Sequence, residues 1–373
     1  MQTVKEKARV YLEIDLKAIR KNLRRIIKAV HPARVMPVLK ADAYGLGVQP
    51  IAAMLAGEDI YGFGAAELKE ALVLKKNAKP VNILGSLMQT EIKAAVKNNI
   101  ICPVDSWQVM RNINREAGRL RKKAAVHVLV DSGMGRLGIP YQNAEALIRR
   151  TAAAKNLELQ GVFSHFPDAN RPRSRISRQQ IKMFAQLQNK VADLGLSWFH
   201  LANSDGINNF PSSCFNLVRT GINLYGVFDL QGRHTYSLNR SLALKSRLIA
   251  VRSLPQGATI GYNCTCRLKK DTLVGTIPAG YADGIPLAAS NKGYVLIKGK
   301  KCRLLGRVSM DYITVDISSV AQPVKGMEAV IIGSSGRETI TVEDMARLKK
   351  THPYDIICAI GNRVVRVYKN LTK

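Results

Sequence analysis

Lysine is among the residues least often found fully buried, yet the segment RVMPVLKADAYGLG, residues 34–47, delivers one from an apolar strand. Val35, Met36, Val38 and Leu39 read as strand, Lys40 ends it, and a turn-like ADAYGLG follows. A desolvated lysine has a lowered pKa and can form a Schiff base with a carbonyl. Three other places carry residues with compatible chemistry. His165 closes a strand in SHF, and Asn203 and Ser204 stand in HLANSDG where a helix would begin. Arg219 ends a strand in VRTGINLYG, ahead of the tight-turn amides of Gly221 and Ile222. A hydroxyl at a helix start is a ready phosphate site. Schiff-base lysine, phosphate cradle and strand-end arginine together suggest pyridoxal phosphate (PLP), whose ring nitrogen takes a protein partner. Taken singly, Lys40 also reads as a snorkelling or ion-paired lysine, and Asn203 and Ser204 as a plain helix cap. A class I aldolase, also a barrel with a Schiff-base lysine, stays open on these residues alone.

These groups need elements that bring them to one face. Strand-like runs cover 35–39, 60–64, 81–84, 100–104, 125–130, 159–164, 198–201 and 215–219. Amphipathic stretches such as ELKEALVLKKN and QTEIKAAVKNN separate most of them. Alternation of this kind argues for a parallel sheet covered by helices. Eight such units in roughly 200 residues predict a (β/α)8 TIM-type barrel, whose active residues lie at the C-terminal ends of the strands. After about residue 235 strand-like runs dominate: ALKSRLIAV, LVGTIPA, GYVLIKG, ITVDI, EAVIIG, DIICAI and VVRVY, with VEDMARLKK the one clear helix. The expected division is a barrel over 13–235 and a mostly β C-terminal domain over 236–373, which residues 1–12 join as a strand. GMGRLG, 133–138, has the spacing of a dinucleotide fingerprint. Pro140 falls where its helix should run and Arg136 would crowd the turn, so a Rossmann reading is rejected.

Composition bounds the class. The chain has 373 residues, 46% of them hydrophobic, enough for two cores and too many for disorder. No apolar run reaches the ~20 residues of a membrane span, and the charged N-terminus lacks a secretory h-region. Six cysteines without metal-site spacing point to reduced thiols in the cytoplasm, and no metal site is expected. The formal charge of +30, from 57 Lys and Arg against 27 Asp and Glu, raises nucleic acid or an anionic surface as a partner. The basic helix IDLKAIRKNLRRIIKAV, 14–30, is its sharpest local case. The preferred reading there is an outer helix with a solvated basic face. The bases are spread along the chain without aromatic interleaving, so neither specific nucleic-acid nor membrane binding is expected.

The sequence resembles the bacterial alanine racemases, PLP enzymes of fold type III, over nearly its whole length. VLKADAYGLG, DSGMGRLG, SHF, HLANSDG, VRTGINLYG, TIGYN, TIPAGYADG, GRVSMD and PYDIICAIGNRVVRVY each match a family segment, in family order. The resemblance implies interconversion of L- and D-alanine by two bases, supplying D-alanine for peptidoglycan. Lys40 would carry PLP and act as one base; Tyr262, reaching in from the partner subunit of a homodimer, would be the other. Arg219 would bond the pyridine nitrogen, and with His165 form the chain that makes the tyrosine basic. Tyr44, Ser204, Gly221, Ile222 and Tyr354 match phosphate ligands, and Asn203 belongs to the same cofactor segment. Arg136, Tyr281 and Met310 match substrate-side residues, the last two again from the partner. The pattern departs at Leu129, where many members carry a carbamylated lysine that holds the arginine. It departs also at Asn170, Leu287 and His352 around the substrate channel, while Arg307 is kept. A broader amino-acid racemase or a decarboxylase of the same fold remains the alternative.

Overall fold

The computed structural model describes residues 8–232 and 235–370. Its first half is a closed ring of eight short parallel strands. They are Arg34–Pro37, Phe63–Ala65, Val81–Ile83, Cys102–Val104, Ala124–Asp131, Leu157–Phe163, Trp198–His200 and Leu217–Thr220. The ring closes where Leu217–Thr220 pairs in parallel with Arg34–Pro37, Arg219 facing Met36. All eight fall on the apolar runs expected from the sequence. The strands are apolar almost throughout because helices cover the ring outside and side chains fill it inside.

The outer helix Leu16–Val30 illustrates the packing. Asp15 caps it, its Oδ1 accepting from the Ala18 amide at 3.0 Å. Leu16, Ile19, Leu23, Ile26 and Val30 are buried. Asn22, on the same face, donates to the carbonyls of Leu224 and Asn239 at 3.0 and 2.8 Å. On the outer face Arg20 and Arg24 share Glu58. This is a docked helix with a solvated basic face.

The second half is a mostly antiparallel sheet. Its order runs from Ala250–Leu254 through Thr272–Ile277, Ile313–Asp316, Lys300–Leu305, Tyr294–Ile297, Glu328–Ser335 and Leu242–Arg247. The strand Tyr11–Asp15 then pairs antiparallel with Leu242–Arg247 and parallel with the last strand, Val365–Lys369. Residues 1–7 lie outside the described residues. One apolar core is continuous through both halves.

One expected strand is a helix. DIICAI belongs to Pro353–Cys358, a short helix with proline at its first position and Ile356 and Ile357 buried. An apolar run this short cannot be told apart by periodicity, and the preceding His352-Pro353 step is the helix-start signal that decides it. No helix among the described residues is long and apolar enough to cross a membrane.

Candidate active site

Lys40 opens a turn that explains the odd run ADAYG. Ala41, Asp42, Ala43 and Tyr44 all have positive φ, between 51° and 64°, so the chain makes a full left-handed helical turn. Such a turn costs L-residues about 1–2 kcal/mol each, and the surroundings must hold it. Glu70 does so from the next helix, accepting from the Ala41 amide at 2.5 Å and the Ala66 amide at 2.8 Å. Asp42 Oδ1 accepts from the Val48 amide at 2.7 Å. The last strand grips the far end: Arg366 Nε donates to the Gly45 carbonyl at 3.0 Å and Tyr368 Oη to the Leu46 carbonyl at 2.8 Å. Gly47 has φ +92°, and a Cβ there would lie 1.9 Å from the Tyr368 hydroxyl. The grips of Arg366 and Tyr368 were not legible in the sequence, since they join segments 321 and 322 residues apart.

The turn faces a cavity of about 670 Å³ at the C-terminal ends of the strands. Lys40, Tyr44, Arg136 and His165 line it, as do Asn203, Ser204, Arg219, Gly221 and Tyr354. Burial lowers the Lys40 pKa, Arg136 adds to this, and Glu70 opposes it. An amine so poised is easier to use as a nucleophile or base.

One wall is a cradle. Asn203 caps the helix Ser204–Asn209, accepting from the Gly206 amide at 2.8 Å. The Gly221 amide donates to Ser204 Oγ at 3.0 Å. A Cβ on Gly221 would stand 2.1 Å from the Tyr44 hydroxyl. Tyr44 packs against Tyr354, ring centroids 5.9 Å apart, and burial pushes both phenols up, so both remain donors. Ile222 is fully buried behind the cradle. Hydroxyls and amides converging on one spot, without a carboxylate bonded among them, suit a phosphate.

The opposite wall is Arg219, 4% exposed, with no carboxylate partner among the described residues. Its Nη2 donates to the Ser164 and Leu201 carbonyls at 2.6 and 3.0 Å, and its Nη1 to the His200 carbonyl at 2.8 Å. Nη1 also meets His200 Nδ1 at 2.7 Å, and Nη2 meets His165 Nδ1 at 3.4 Å. An arginine has no acceptor, so both ring nitrogens accept and each imidazole carries its proton on Nε2. His200 Nε2 passes the chain on to His127 Nδ1 at 2.9 Å. Burial drives His165 and His127 down to about 3 and His200 well below its ordinary value, with Arg219 adding to each. All three are neutral near pH 7. Burial brings Arg219 itself down to about 9, still protonated at neutrality. Its Nε–H takes part in none of these bonds and is the donor left over for a ring nitrogen. The resemblance pairs Arg219 with His165; the shorter contact is to His200, for which HLANSDG by itself suggests no role. The cavity residues therefore fit PLP in three respects: a lysine for the aldehyde, a cradle for the phosphate, a donor for the ring.

Arg136 lies in the turn after Ala124–Asp131, which Asp131 Oδ1 knots by accepting from the amides of Gly133, Met134 and Gly135 at 2.9, 2.8 and 3.1 Å. Leu129, buried beneath it, offers no polar group. Asn170 and His352 both reach Asp229, at 3.2 Å and 3.7 Å. Asp229, missed by the sequence reading, is buried and faces the same cavity as Asp205. Burial, then Asp229, pushes Asp205 up to about 7, and His352 opposes the shift. Tyr262, Tyr281 and Met310 do not line this cavity. They stand on the C-terminal domain, 69%, 46% and 52% exposed.

Fold and site together define a (β/α)8-barrel enzyme with a PLP-type cavity. Family models for the alanine racemase N-terminal and C-terminal domains match residues 14–229 and 241–368. A curated alanine racemase of Desulforamulus reducens is 34% identical over 367 residues, covering 96% of this chain and 98% of its own. The solved alanine racemase of Streptomyces lavendulae is 32% identical, with a TM-score of 0.90 over 97% of both chains. That of Bartonella henselae, solved with covalently bound pyridoxal phosphate, is 28% identical, with a TM-score of 0.87 over 97% of this chain and 100% of its own. The chain belongs to the alanine racemase family.

Proposed function

We propose that this chain is a PLP-dependent alanine racemase that interconverts L- and D-alanine and so supplies D-alanine for peptidoglycan. The carrying observation is that Lys40, the Ser204–Gly221 cradle and Arg219 meet in one cavity of a family member. Bound PLP would supply the electron sink that makes the substrate's Cα–H acidic. The protein's residues do the rest. Tyr44, Ser204, Gly221, Ile222 and Tyr354 would hold the phosphate, with Asn203 fixing the helix start they converge on. Arg219 would bond the ring nitrogen through Nε–H while keeping its own proton, which limits the sink and favours return of a proton to Cα over other outcomes. Arg136 would engage the substrate carboxylate. Lys40 Nζ would take or give the Cα proton on one face and the hydroxyl of Tyr262 of the partner subunit on the other. His165, neutral with its proton on Nε2, would relay the Arg219 charge toward that phenolic oxygen.

The trans assignment is supported by the exposure of Tyr262, Tyr281 and Met310 and their absence from the cavity of their own chain. Leu287 and Tyr312, 44% and 42% exposed, belong to the same domain. Exposed large apolar residues of this kind are what an association surface would cover. A homodimer with two shared sites related by a two-fold axis follows. A barrel over about 13–235 with a C-terminal domain taking in the first strand remains part of this reading. So does residence in the cytoplasm, which the six unbonded cysteines support.

Asn170 and His352 at Asp229 favour one second reading, a racemase of broader range, because they replace the residues many members carry around the channel. Polarimetric racemisation of L-alanine beside L-serine, L-lysine and L-arginine, on PLP-loaded protein, decides between them. Loss of rotation with alanine alone is expected. Comparable rates with the larger amino acids would establish the broader enzyme, and no racemisation of any would overturn both.

A further inference from the structure

The last segment of the chain carries two arginines three residues apart, and they serve different loops. Arg366 is the grip on the lysine turn. Its Nε–H donates to the Gly45 carbonyl at 3.0 Å, while the rest of the guanidinium is anchored on the carbonyls of Gly361, Val364 and Ile360 at 2.6, 2.7 and 2.9 Å. Gly45 ends the left-handed turn that begins at Lys40. A turn costing several kcal/mol in backbone conformation is pinned at its exit by this one side chain and by Tyr368.

Arg363 clasps a different unit. Its Nε–H and Nη2–H meet the two oxygens of Asp283 at 2.8 Å each, a fork-on-carboxylate pair. Its Nη1–H donates to Asp311 Oδ1 at 2.7 Å and its Nη2 to the Met310 carbonyl at 3.3 Å. Asp283 is almost wholly enclosed and also accepts from the Gly280 amide at 2.8 Å. The turns at 280–284 and 309–311 are already zipped together: the Tyr281 amide donates to the Ser309 carbonyl at 3.0 Å and the Ala282 amide to Met310 at 3.2 Å. A Cβ on Gly280 would lie 2.2 Å from the Met310 carbonyl oxygen. The clasped unit presents Tyr281 and Met310 outward, away from the cavity of its own chain.

We propose that Arg366 and Arg363 are positioning residues for opposite active sites: Arg366 for the site of its own chain, through the lysine turn, and Arg363 for the site of the partner subunit, through the unit bearing Tyr281 and Met310. The inference rests on the shared-site reading above. It makes the terminal segment the piece that keeps the two sites of a dimer in step, since one short stretch sets the lysine on one side and the substrate wall on the other.

Hybrid dimers test it. Chains carrying two different tags are co-expressed and the mixed dimer is isolated. Each variant is paired with a Lys40→Ala chain, whose own site is dead but whose C-terminal domain is intact. As homodimers, Arg363→Met and Arg366→Met are both expected to lose about ten- to a hundredfold in kcat, the usual cost of an ångström-sized misplacement. Only Arg366→Met should also lose bound PLP, read from cofactor absorbance after gel filtration. Paired with Lys40→Ala, the Arg363→Met dimer should recover about half of wild-type turnover, because its one living lysine now faces an intact partner unit. The Arg366→Met hybrid should run at about half the rate of its homodimer, since its one living site is still the impaired one. Tyr262→Phe paired with Lys40→Ala is the control and should also recover half. If the control recovers and Arg363→Met does not, Arg363 serves its own chain and the assignment is overturned. Recovery by Arg366→Met overturns it too, as does full activity in either homodimer. A silent control removes the shared-site reading and this inference with it. Should Arg363→Met fail to assemble, Asp311→Asn weakens the same clasp by one surface bond and is read in the same pairing.

Discussion

The chemistry of this chain turns on charged groups held where charge is hard to hold. Arg219 is buried without a carboxylate and leans on three carbonyls and two neutral imidazoles. That arrangement fixes proton positions: both histidines accept from arginine, so neither can carry an extra proton near neutrality. In the proposed mechanism Tyr262 of the partner subunit is the second base. Tyr262→Phe should lower racemisation about a hundred- to ten-thousandfold, the range for loss of a positioned acid–base group. The enantiomers are equal in energy, so kcat/KM must fall equally in both directions. The asymmetry belongs in solvent deuterium exchange at Cα, where one enantiomer should still exchange on Lys40 and the other should not; equal exchange of both would refute two bases. Asp205 supplies a pH signature. Its folded pKa of about 7 lies above the ordinary carboxylate value, so the folded state binds a proton more tightly than the unfolded chain. The contribution of Asp205 should therefore decline as pH rises from about 4 to 7, against the opposite slope of His127, His165 and His200, whose lowered values favour the folded state as pH rises. Asp205→Asn should remove that one contribution and leave the variant more stable than wild type above pH 7, read as unfolding midpoint in denaturant across the range. Parallel wild-type and variant curves between those pH values would be the contrary result.

Among the elements, the left-handed lysine turn and the cradle opposite it are the two that local sequence preference would not choose unaided. Four successive non-glycine residues at positive φ persist because Glu70, Asp42, Arg366 and Tyr368 satisfy their surroundings. Strain of this kind collects at functional sites, and here it aims Lys40 into the cavity. Glu70→Ala would strip two amides of a charged acceptor, at about 1.5–3 kcal/mol apiece at most. PLP affinity should fall by one or two orders of magnitude while the far-ultraviolet circular dichroism is unchanged; retained affinity would show that the turn holds itself. The cradle needs glycine for space rather than for φ. Gly221→Ala would drive a methyl into the Tyr44 hydroxyl, 2.1 Å from the new Cβ. Loss of cofactor absorbance is expected, with partial recovery in Gly221→Ala combined with Tyr44→Phe, which removes the clashing oxygen.

For the molecule as a whole, the two halves share one core, and the strand Tyr11–Asp15 threads into the C-terminal sheet before the barrel begins. The barrel cannot be cut away at its natural start without taking a central strand from the other half. The proposed shared site nonetheless calls for a second chain. Sedimentation velocity at micromolar protein should show a dimer, and dilution to the point where monomer appears should abolish turnover in parallel. A fully active monomer would contradict the shared sites. The charge of +30 is dispersed rather than gathered. On Leu16–Val30 Arg20 and Arg24 are occupied by Glu58, and the apolar face is spent on the core. Nothing in the fold accounts for the excess.

Much was legible in the chain because it is local. Apolar runs at regular intervals announced the eight strands, HLANSDG announced a capped helix, and Lys40, His165 and Arg219 stood at strand ends that a barrel must bring to one rim. DIICAI went astray because a six-residue apolar run has the same look in a strand and in a short buried helix. Other features depend on partners far along the chain. Glu70 on the Ala41 amide, His200 rather than His165 as the close partner of Arg219, Asp229 between Asn170 and His352, and Arg366 on the Gly45 carbonyl are set by which distant atoms the closed barrel and the returning last strand bring within 3–4 Å. Residue types and spacing carry the reaction's ingredients; protonation state, tautomer and turn handedness follow from burial and contact, which exist only once the chain has closed on itself.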